Sequence, residues 1–316
     1  MDRYYLGVDG GQSSTTALIA RGDGQVIGSG RSGPCNHVSG SERRDKFVAV
    51  LSDCLRQATS GVDFTAEAVE FAAACLGFSG GAEDKAEFAD EVVHSRLLKV
   101  THDAEIALIG ATGGEPGIIA IAGTGSIAFG RNANGSMARA GGWGYIFGDE
   151  GGAFDIVRRA LRAALQFEEG WGPATALHAL LLSKTGAESA NQLMHRFYAE
   201  GQRREVAELA SIVTEAAETG DPTAKRILAQ AGELLSWYVE GVHRRLFAAN
   251  EPVTVAHVGG AFRSAPLRHA FADNVMHRIR RHVIAPKYSP AAGALIEALR
   301  LDGNASKPSG VPETKT

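Results

Sequence analysis

The chain has 316 residues, of which 44% are hydrophobic and 22% are charged, and its formal net charge at pH 7 is -4. This length allows two domains of ordinary size, and the composition is typical of a soluble globular protein. The small negative charge gives no support to nucleic acid or to an acidic membrane surface as a partner. No apolar run approaches the roughly 18 residues that a membrane-spanning helix needs.

Cysteine usage and the N-terminus indicate the cellular compartment. Cys35, Cys54 and Cys75 are widely spaced and form no CxxC pair, which is typical of reduced thiols. The N-terminus lacks the basic and apolar regions of a signal peptide. We therefore expect a cytoplasmic α/β protein, whose 39 glycines cluster at a few strand ends.

The chain opens with two β-prone apolar runs, residues 4–8 and 16–20, and a polar glycine turn separates them. This pattern predicts a hairpin. Adjacent Gly10 and Gly11 let the backbone approach a ligand closely, and successive amide groups in such a turn form a nest for an anion. Asp9 is placed to hold a divalent cation through water if that anion is a polyphosphate. An ordinary Asp-Gly turn without a ligand is the alternative.

The pattern of apolar runs and breakers predicts the following elements in the first part of the chain. They are a three-stranded meander over 4–32, a helix over 41–59, a strand over 68–77, a helix over 83–94, a strand over 97–101 and a helix over 104–110. The short strand over 97–101 leads directly into His102 and Asp103. This order predicts a mixed sheet flanked by helices.

The same pattern then restarts. Strands are predicted over 117–122, 127–131 and 136–140, and the turn between the first two is Gly123-Thr124-Gly125-Ser126. Two glycine-hydroxyl turns at matching positions are far less expected by chance than one. They predict a duplicated α/β fold that holds phosphate groups in the cleft between its halves.

The remaining sequence is helical with one further strand pair. Residues 141–152 form a segment with six glycines. The elements predicted after it are a helix over 153–165, helices over 172–247 with a break at 220–222, a strand over 253–258, a helix over 265–280, a strand over 282–285 and a helix over 290–301. The last helix is expected to pack on the N-terminal half. Residues 302–316 have few apolar side chains and are expected to form a flexible tail.

Several of these motifs resemble one superfamily. Asp9-Gly10-Gly11-Gln12-Ser13, Gly123-Thr124-Gly125-Ser126 and Val258-Gly259-Gly260-Ala261 resemble the two phosphate motifs and the adenosine motif of the sugar kinase/actin/Hsp70 superfamily. Gly141-Gly142-Trp143-Gly144 and Gly148-Asp149-Glu150-Gly151 resemble the BadF/BadG/BcrA/BcrD ATPase family, and especially its N-acetylglucosamine kinases. The similarity covers essentially residues 4–300.

The resemblance implies two ribonuclease-H-like (actin-like ATPase) domains with an interdomain cleft that binds ATP and Mg²⁺ and closes on a sugar. The N-terminal domain would comprise residues 1–112 with the helix 289–301, and the C-terminal domain residues 113–288 with a helical insert over 172–247. The implied ligands of ATP and its phosphates are Gly10, Gly11, Gln12, Ser13, Gly123, Thr124, Gly125, Ser126, Gly259, Gly260 and Ala261. Asp9 is the implied Mg²⁺ site.

Asp103 matches the catalytic aspartate of the family. A carboxylate at a strand end can accept the proton of a sugar hydroxyl as the hydroxyl attacks the γ-phosphate, and the protein otherwise positions the reactants and neutralises charge. A cap for the helix that starts at Ala104 is the alternative, and both roles can coexist.

The resemblance also implies a set of sugar-binding residues. These are Asn36, Asp103, Thr124, Gly141, Gly142 and Asp149. The side-chain amide of Asn36 suits sugar hydroxyls because it both donates and accepts hydrogen bonds. A turn-forming role for Asn36 and a helix cap for Asp149 are the alternatives.

The first phosphate motif departs from the family pattern. The family commonly has a third glycine and a threonine where this chain has Gln12-Ser13, and Ser14 replaces a lysine or arginine that often follows. Ser13 keeps the hydroxyl group. One phosphate charge is then left to Mg²⁺.

Together these features predict an ATP-dependent kinase that phosphorylates the 6-hydroxyl of an amino sugar, with N-acetylglucosamine or glucosamine as the leading candidates and a homodimer as the family's implication. The alternative is a BadF/BadG-type ATPase that activates a protein partner. Such activators carry an iron–sulfur cluster, which needs thiolate ligands. None of the three cysteines lies beside the second phosphate turn, which favours the kinase.

Overall fold

The computed structural model describes residues 3–11, 14–35, 42–80, 83–199 and 203–312. The chain forms two compact units, Met1–Glu115 with Pro286–Thr316 and Pro116–Ala285. Each unit is built on a five-stranded sheet.

The elements follow one another in this order. The first stretch contains β1 (Tyr4–Gly10), β2 (Thr15–Arg21), β3 (Val26–Ser32), α1 (Glu42–Thr59), β4 (Ala73–Phe78), α2 (Glu83–Asp90), β5 (Leu98–His102) and α3 (Asp103–Thr112). The second unit contains β6 (Gly117–Ala122), β7 (Ser126–Arg131), β8 (Met137–Gly141), α4 (Gly144–Phe147), α5 (Ala153–Glu168), α6 (Leu177–Thr185), α7 (Ala190–Ala199), α8 (Arg203–Glu208), α9 (Ala210–Glu218), α10 (Pro222–Leu246), β9 (Thr254–Val258), a 3₁₀ helix (Gly260–Arg263), α11 (Ala265–Ile279) and β10 (Val283–Ile284). The last helix, α12 (Pro290–Leu301), belongs to the first unit.

The sheet of the first unit has the order β3-β2-β1-β4-β5. β1 is antiparallel to β2 and parallel to β4, and β4 is parallel to β5. In this register Gly10 pairs with Phe78, and Phe78 pairs with His102. The carboxyl ends of β1, β4 and β5 therefore meet at one edge of the sheet.

Close backbone contacts attach α12 to this sheet. A Cβ atom at Gly7 would overlap the backbone of α12 at Leu295, and a Cβ at Gly293 would overlap the carbonyl of Ile106 on α3. The helix also buries an almost continuous apolar face that includes Ala292, Leu295 and Leu299. Glycine at the contact points lets α12, β1 and α3 approach more closely than larger residues would allow.

The sheet of the second unit has the order β10-β9-β6-β7-β8. β6 is antiparallel to β7, as β7 is to β8, while β6, β9 and β10 are parallel. The same arrangement of a meander followed by two parallel strands therefore occurs twice, which confirms the predicted duplicated α/β fold.

The helices α6 to α10 occupy most of the region predicted to be helical. α10 begins where Asp221 accepts a hydrogen bond from the Ala224 amide and Pro222 occupies the first turn. Both features favour a helix start. The long helix packs on β7 and β8 and against α11, where a Cβ at Gly232 would lie 2.7 Å from the Phe271 nitrogen.

Some element boundaries differ from the sequence prediction. β4 begins at Ala73 rather than residue 68, because the amides of Ala68 and Val69 bond to the Thr65 carbonyl in a turn. The helix predicted over 83–94 ends at Asp90. Among the described residues, no helix is both long enough and apolar enough to cross a membrane.

The C-terminal segment is held to the first unit where we expected a flexible tail. Ser309 exchanges backbone hydrogen bonds with Gly24 and Val26, and Lys307 Nζ donates to the Gly113 carbonyl at 2.7 Å. Backbone groups and polar side chains therefore make most of these contacts, which is why the small number of apolar residues did not reveal them. Residues 313–316 lie outside the described part of the chain.

Candidate active site

The first glycine turn follows β1. The Gly11 amide donates to the Ser14 carbonyl at 3.0 Å, and the Gly10 carbonyl accepts from the Ser79 amide at 3.2 Å. A Cβ at Gly10 would overlap the Phe78 ring and lie 2.8 Å from Cys35 Sγ. Only glycine fits this position, so the turn is pressed against β4. Gln12 and Ser13, which we predicted to bind phosphate, lie outside the described residues, as does Asn36.

Two carboxylates lie at the same edge of the first sheet. Asp9 is near the end of β1, and Asp103 is the first residue of α3, directly after β5. Burial and the nearby Asp103 carboxylate raise the pKa of Asp9 to about 7. Burial also raises the pKa of Asp103, although the Ala104 amide, His102 and Lys85 act in the opposite direction. Two buried like charges are costly together, so this edge favours a bound cation.

Asp103 also meets the start of its own helix. Its Oδ1 accepts a hydrogen bond from the Ala104 amide at 2.8 Å, while the N-cap position is occupied by His102. This bond fixes the orientation of the carboxylate. It also satisfies one of the amides that a helix leaves without an internal partner.

Lys85 is a residue of this edge that the sequence reasoning missed. Its side chain is 3% exposed, its Nζ donates to the Ser79 carbonyl, and the ammonium lies 5.7 Å from the centroid of the Phe78 ring. Burial raises the pKa of both Asp103 and Cys35, and the positive charge of Lys85 opposes that rise. The first turn therefore has a buried cation nearby, although none occurs in the motif itself. No local sequence signal distinguishes this lysine from one on the surface.

The second glycine turn, between β6 and β7, is held by a buried carboxylate. The Ser126 amide donates to Asp149 Oδ1 at 3.2 Å, and a Cβ at Gly125 would lie 2.5 Å from Asp149 Oδ2. Asp149 is 5% exposed and has a positive φ of 62°. A left-handed conformation is uncommon in a residue other than glycine, and such residues concentrate at functional sites.

The glycine-rich segment, residues 141–152, wraps around this second turn. The Gly142 amide donates to the Ser126 carbonyl at 2.9 Å, and Ser126 Oγ donates to the Glu150 carbonyl at 2.7 Å. Gly141 and Gly142 both have positive φ, at 78° and 72°. The segment and the turn therefore form one hydrogen-bonded structure that contains Gly141, Gly142 and Asp149, which we predicted to bind sugar.

The start of α5 completes the second turn. The amides of Ala153 and Phe154 donate to the carbonyls of Gly123 and Thr124, at 2.9 and 3.1 Å. Asp155, another residue missed at the sequence level, accepts a hydrogen bond from the Gly151 amide at 3.1 Å. Salt bridges to Arg158 and Arg159 hold this buried carboxylate in place.

The predicted adenosine motif follows β9. Gly259 has a φ of 109°, and a Cβ there would overlap the carbonyl of Ala122, the last residue of β6. The space around Gly260 is open, while Ala261 is buried in the 3₁₀ helix. The motif therefore lies beside the second glycine turn, at the carboxyl edge of the second sheet.

The structure thus places the described predicted residues at the carboxyl edges of the two sheets. Asp9, Gly10, Gly11 and Asp103 come together in the first unit. The second unit brings together Gly123, Thr124, Gly125, Ser126, Gly141, Gly142, Asp149, Gly259, Gly260 and Ala261. In the described part of the chain, no three Asp, Glu, His or Cys side chains cluster as a metal site.

Two units with the same strand order, each with a glycine-hydroxyl turn in its central hairpin, have the ribonuclease-H-like architecture of the actin-like ATPases. The model of the BadF/BadG/BcrA/BcrD ATPase family matches residues 6–298. The chain belongs to this family.

The chain is similar to sugar kinases of other organisms. It is 35% identical over 264 residues to the N-acetylmuramic acid/N-acetylglucosamine kinase of Clostridium acetobutylicum. That alignment covers 82% of this chain and 85% of the other protein. It is 27% identical over 312 residues to the N-acetyl-D-glucosamine kinase of Dictyostelium discoideum, with 93% and 97% of the two chains covered.

Solved structures agree with the fold. A crystal structure from Chromobacterium violaceum, assigned as an N-acetylglucosamine kinase, aligns with a TM-score of 0.73 at 28% identity and covers 93% of this chain and 98% of that one. A glucokinase of the ROK family from Streptomyces griseus aligns with a TM-score of 0.55 at 16% identity, over 93% and 98% of the two chains. The latter likeness concerns the fold alone.

Proposed function

We propose that this protein is an amino-sugar kinase that transfers the γ-phosphoryl group of ATP to the 6-hydroxyl of N-acetylglucosamine or glucosamine. The kinases of Clostridium acetobutylicum and Dictyostelium discoideum support the substrate class. The observation that carries the reaction type is the pair Asp9 and Asp103 beside the first glycine turn. Phosphoryl transfer to a hydroxyl needs a base and a cation site close to the phosphates.

ATP is the phosphoryl donor that the family membership supports. Gly10, Gly11 and residues 123–126 are the proposed phosphate-binding residues, because glycine turns of this kind can present N–H groups to an anion. The amides of Gly11 and Gly123 bond within their turns and that of Ser126 bonds to Asp149, and so they shape the backbone around the proposed phosphate position. Gly259, Gly260 and Ala261 are proposed to receive the adenosine. The open space at Gly260 leaves room for a flat group against the backbone, while Gly259 brings the motif close to Ala122 at the second turn.

Mg²⁺ fits the acidic edge of the first unit. Magnesium in nucleotide sites is held by one or two carboxylates, together with water and phosphate oxygens. Asp9 would hold the ion, and the raised pKa values of Asp9 and Asp103 indicate a place where a cation favours ionised carboxylates. When bound, the ion would neutralise phosphate charge.

Asp103 is the proposed general base. The oxygen of the sugar hydroxyl attacks the γ-phosphorus, the bond from that phosphorus to the β–γ bridging oxygen breaks, and ADP leaves. Asp103 accepts the hydroxyl proton. Its Oδ1 is oriented by the Ala104 amide, which leaves Oδ2 as the proposed proton acceptor. A carboxylate with a raised pKa is the stronger base, provided that it is ionised.

The glycine-rich segment is proposed to bind the sugar. The Asp149 carboxylate can accept hydrogen bonds from sugar hydroxyls. Because Gly141 and Gly142 have no side chains, a sugar ring can come close to their backbone. Thr124 adds a hydroxyl group. Asn36 is kept as a proposed sugar ligand on the family resemblance alone.

The test is ADP release from Mg-ATP with a panel of amino sugars and hexoses, using wild type, Asp103→Asn and Asp63→Asn. Asp63 is an exposed aspartate and serves as the matched control. We expect turnover that depends on an amino sugar, is unchanged in Asp63→Asn and is lost in Asp103→Asn. NMR of the product then identifies the phosphorylated hydroxyl.

Slow ATP hydrolysis that is indifferent to every sugar would contradict the kinase. It would favour the alternative, an ATPase that activates a protein partner. A coloured iron–sulfur protein would point the same way, although Cys35, Cys54 and Cys75 are all buried in the first unit.

A further inference from the structure

Tyr238 lies on α10, almost ninety residues from the glycine-rich segment in sequence, yet its side chain contacts that segment at two places. The first contact is with Gly141. A Cβ atom at Gly141 would lie 2.5 Å from Cε2 of the Tyr238 ring. The ring is therefore packed directly on the backbone at the start of the segment, in space that any side chain at residue 141 would need.

The second contact is with Glu150. The Tyr238 hydroxyl donates a hydrogen bond to Glu150 Oε2. Burial, followed by the hydrogen bond and charge of Glu150, raises the pKa of the Tyr238 phenol well above its ordinary value. The phenol therefore keeps its proton and remains a donor to the carboxylate. A hydrogen bond to a charged acceptor is stronger than one between neutral groups.

These two contacts join the two ends of the segment. Between Gly141 and Glu150 the chain contains three further glycines and a left-handed Asp149. A segment so rich in glycine loses much conformational entropy when it is ordered. If the segment became ordered only when the ligand bound, this entropy cost would weaken the affinity for the ligand. A segment that is already ordered in the free protein does not lower the affinity in this way.

Ser126 also joins the two ends of the segment, but it does so from the second turn. Its backbone bonds to Gly142 and its hydroxyl bonds to the Glu150 carbonyl, so it positions the main chain. The Glu150 carboxylate, by contrast, is bonded to α10. The long helix thereby becomes part of the structure that holds Gly141, Gly142 and Asp149.

We propose that Tyr238 is a positioning residue for sugar binding, which preorganises the glycine-rich segment by packing on Gly141 and by holding the Glu150 carboxylate. The proposal rests on the proposed function in that it assigns the segment to the sugar. It gives the helical region a role in substrate binding. The phenol itself acts through the segment and does not touch the sugar.

The first measurement is steady-state kinetics of Tyr238→Phe, which keeps the ring and removes the hydroxyl. We expect the KM for the amino sugar to rise about tenfold, while kcat and the KM for ATP stay within about twofold. Tyr198→Phe is the matched control, because Tyr198 is 81% exposed on α7. A folded Tyr238→Phe variant with an unchanged sugar KM would overturn the proposal.

A double-mutant cycle with Glu150→Ala tests whether the two residues act together. If they do, the double variant should have about the same sugar KM as either single variant. Effects that multiply would show that Tyr238 and Glu150 act independently and would overturn the proposed coupling.

Hydrogen exchange of the unliganded protein tests the ordering without any reliance on turnover. We expect amides of residues 141–150 to exchange about tenfold faster in Tyr238→Phe than in wild type or Tyr198→Phe. Unchanged exchange would overturn the positioning role. If wild type phosphorylates no sugar, the proposed function fails, while this measurement still decides whether Tyr238 orders the segment.

Discussion

The two glycine turns occupy matching positions in their sheets, but the groups around them differ. The first turn lies beside charged groups: Asp9, Asp103 and the ammonium of Lys85. The second is held by hydrogen bonds from Ser126 to Asp149 and from the start of α5 to Gly123 and Thr124.

This difference shows how a duplicated fold can divide its tasks. Charged groups in a low-dielectric site interact strongly and suit the chemical step, in which charge moves. A network of backbone hydrogen bonds instead fixes geometry, which suits the recognition of a ligand. We infer that the first unit supplies the charged groups for phosphoryl transfer, and that the second unit fixes the geometry of the residues that recognise the ligand.

The largest effect is expected from Asp103→Asn. Asparagine keeps the size of the side chain but cannot accept the proton, so kcat should fall by about 10³-fold, in the range typical of a lost general base. The KM for the sugar should change by less than about threefold. Rates from a coupled ADP assay provide the measurement, and a kcat within tenfold of wild type would exclude Asp103 as the base.

The next effect concerns the geometry of the second turn. In Gly125→Ala, the new methyl group would collide with the Asp149 carboxylate and displace it. We expect the KM for the sugar to rise about 30-fold and Tm to fall by several degrees, because overpacking of this kind costs about 1–3 kcal/mol.

Gly123→Ala is the matched control for stability in the same turn, since nothing lies within 4 Å of a Cβ at that position. Its Tm, measured by calorimetry, should stay within about 2 °C of wild type. Equal losses of Tm in the two variants would mean that the turn is sensitive to any side chain. The contact between residue 125 and Asp149 would then not explain the loss in Gly125→Ala.

A smaller effect is expected at Lys85. Lys85→Gln keeps a donor for the Ser79 carbonyl but removes the charge, so kcat should fall about tenfold while Tm changes little. Lys85→Arg should recover most of the rate. Lys184→Gln, on an exposed position of α6, is the control. If Lys85→Arg and Lys85→Gln lower kcat equally, the charge of Lys85 does not contribute to the rate. The inferred difference in role between the two units would then be wrong for this residue.

The smallest effect concerns the helix that supports the second turn. Asp221 bonds the amides of Ala224 and Ala176 at 2.8 and 2.6 Å and the Thr175 hydroxyl at 2.9 Å. Burial alone would raise the pKa of Asp221, but these hydrogen bonds together hold it below the ordinary value. Asp221→Ala should therefore lower the free energy of unfolding by about 1–2 kcal/mol at pH 7, with little change in kcat.

The pH dependence of that difference has a defined sign. Because the folded pKa of Asp221 lies below the unfolded value of 3.8, its contribution is fully present above about pH 5 and is lost as the pH falls through the folded pKa. Urea unfolding of wild type and Asp221→Ala at several pH values measures the difference, with Asp273→Ala, at an exposed position of α11, as a control. A difference that already shrinks between pH 6 and pH 5 would contradict the lowered pKa.

Much of the fold could be predicted because local signals agree with it. β6 was predicted with the bounds that the structure has, since it is a short apolar run with a glycine turn at its end. α12 was also predicted with its observed bounds, because Ser289 caps it and Pro290 occupies its first position. The predicted start of β4 was wrong because an apolar run does not indicate where a turn ends and a strand begins.

The candidate site was only partly accessible from sequence. Motifs contain the glycines, Asp9, Asp103 and Asp149, and their assigned roles stay predictions. Lys85 and Tyr238 come from helices whose patterns indicate only helix, and their importance depends on tertiary contacts with Ser79 and Glu150. Such contacts between distant parts of a chain leave no local signal.

The return of α12 to the first unit also has a consequence for synthesis on the ribosome. The second unit is continuous, over Pro116–Ala285, and all its residues are available before α12 is made. The first unit contains the start of the chain but lacks the helix that covers β1 and α3 until residue 301 has emerged. The strands made first would therefore complete their packing last, and a truncation after Ala285 would expose the apolar face of β1 at the opposite end of the sequence.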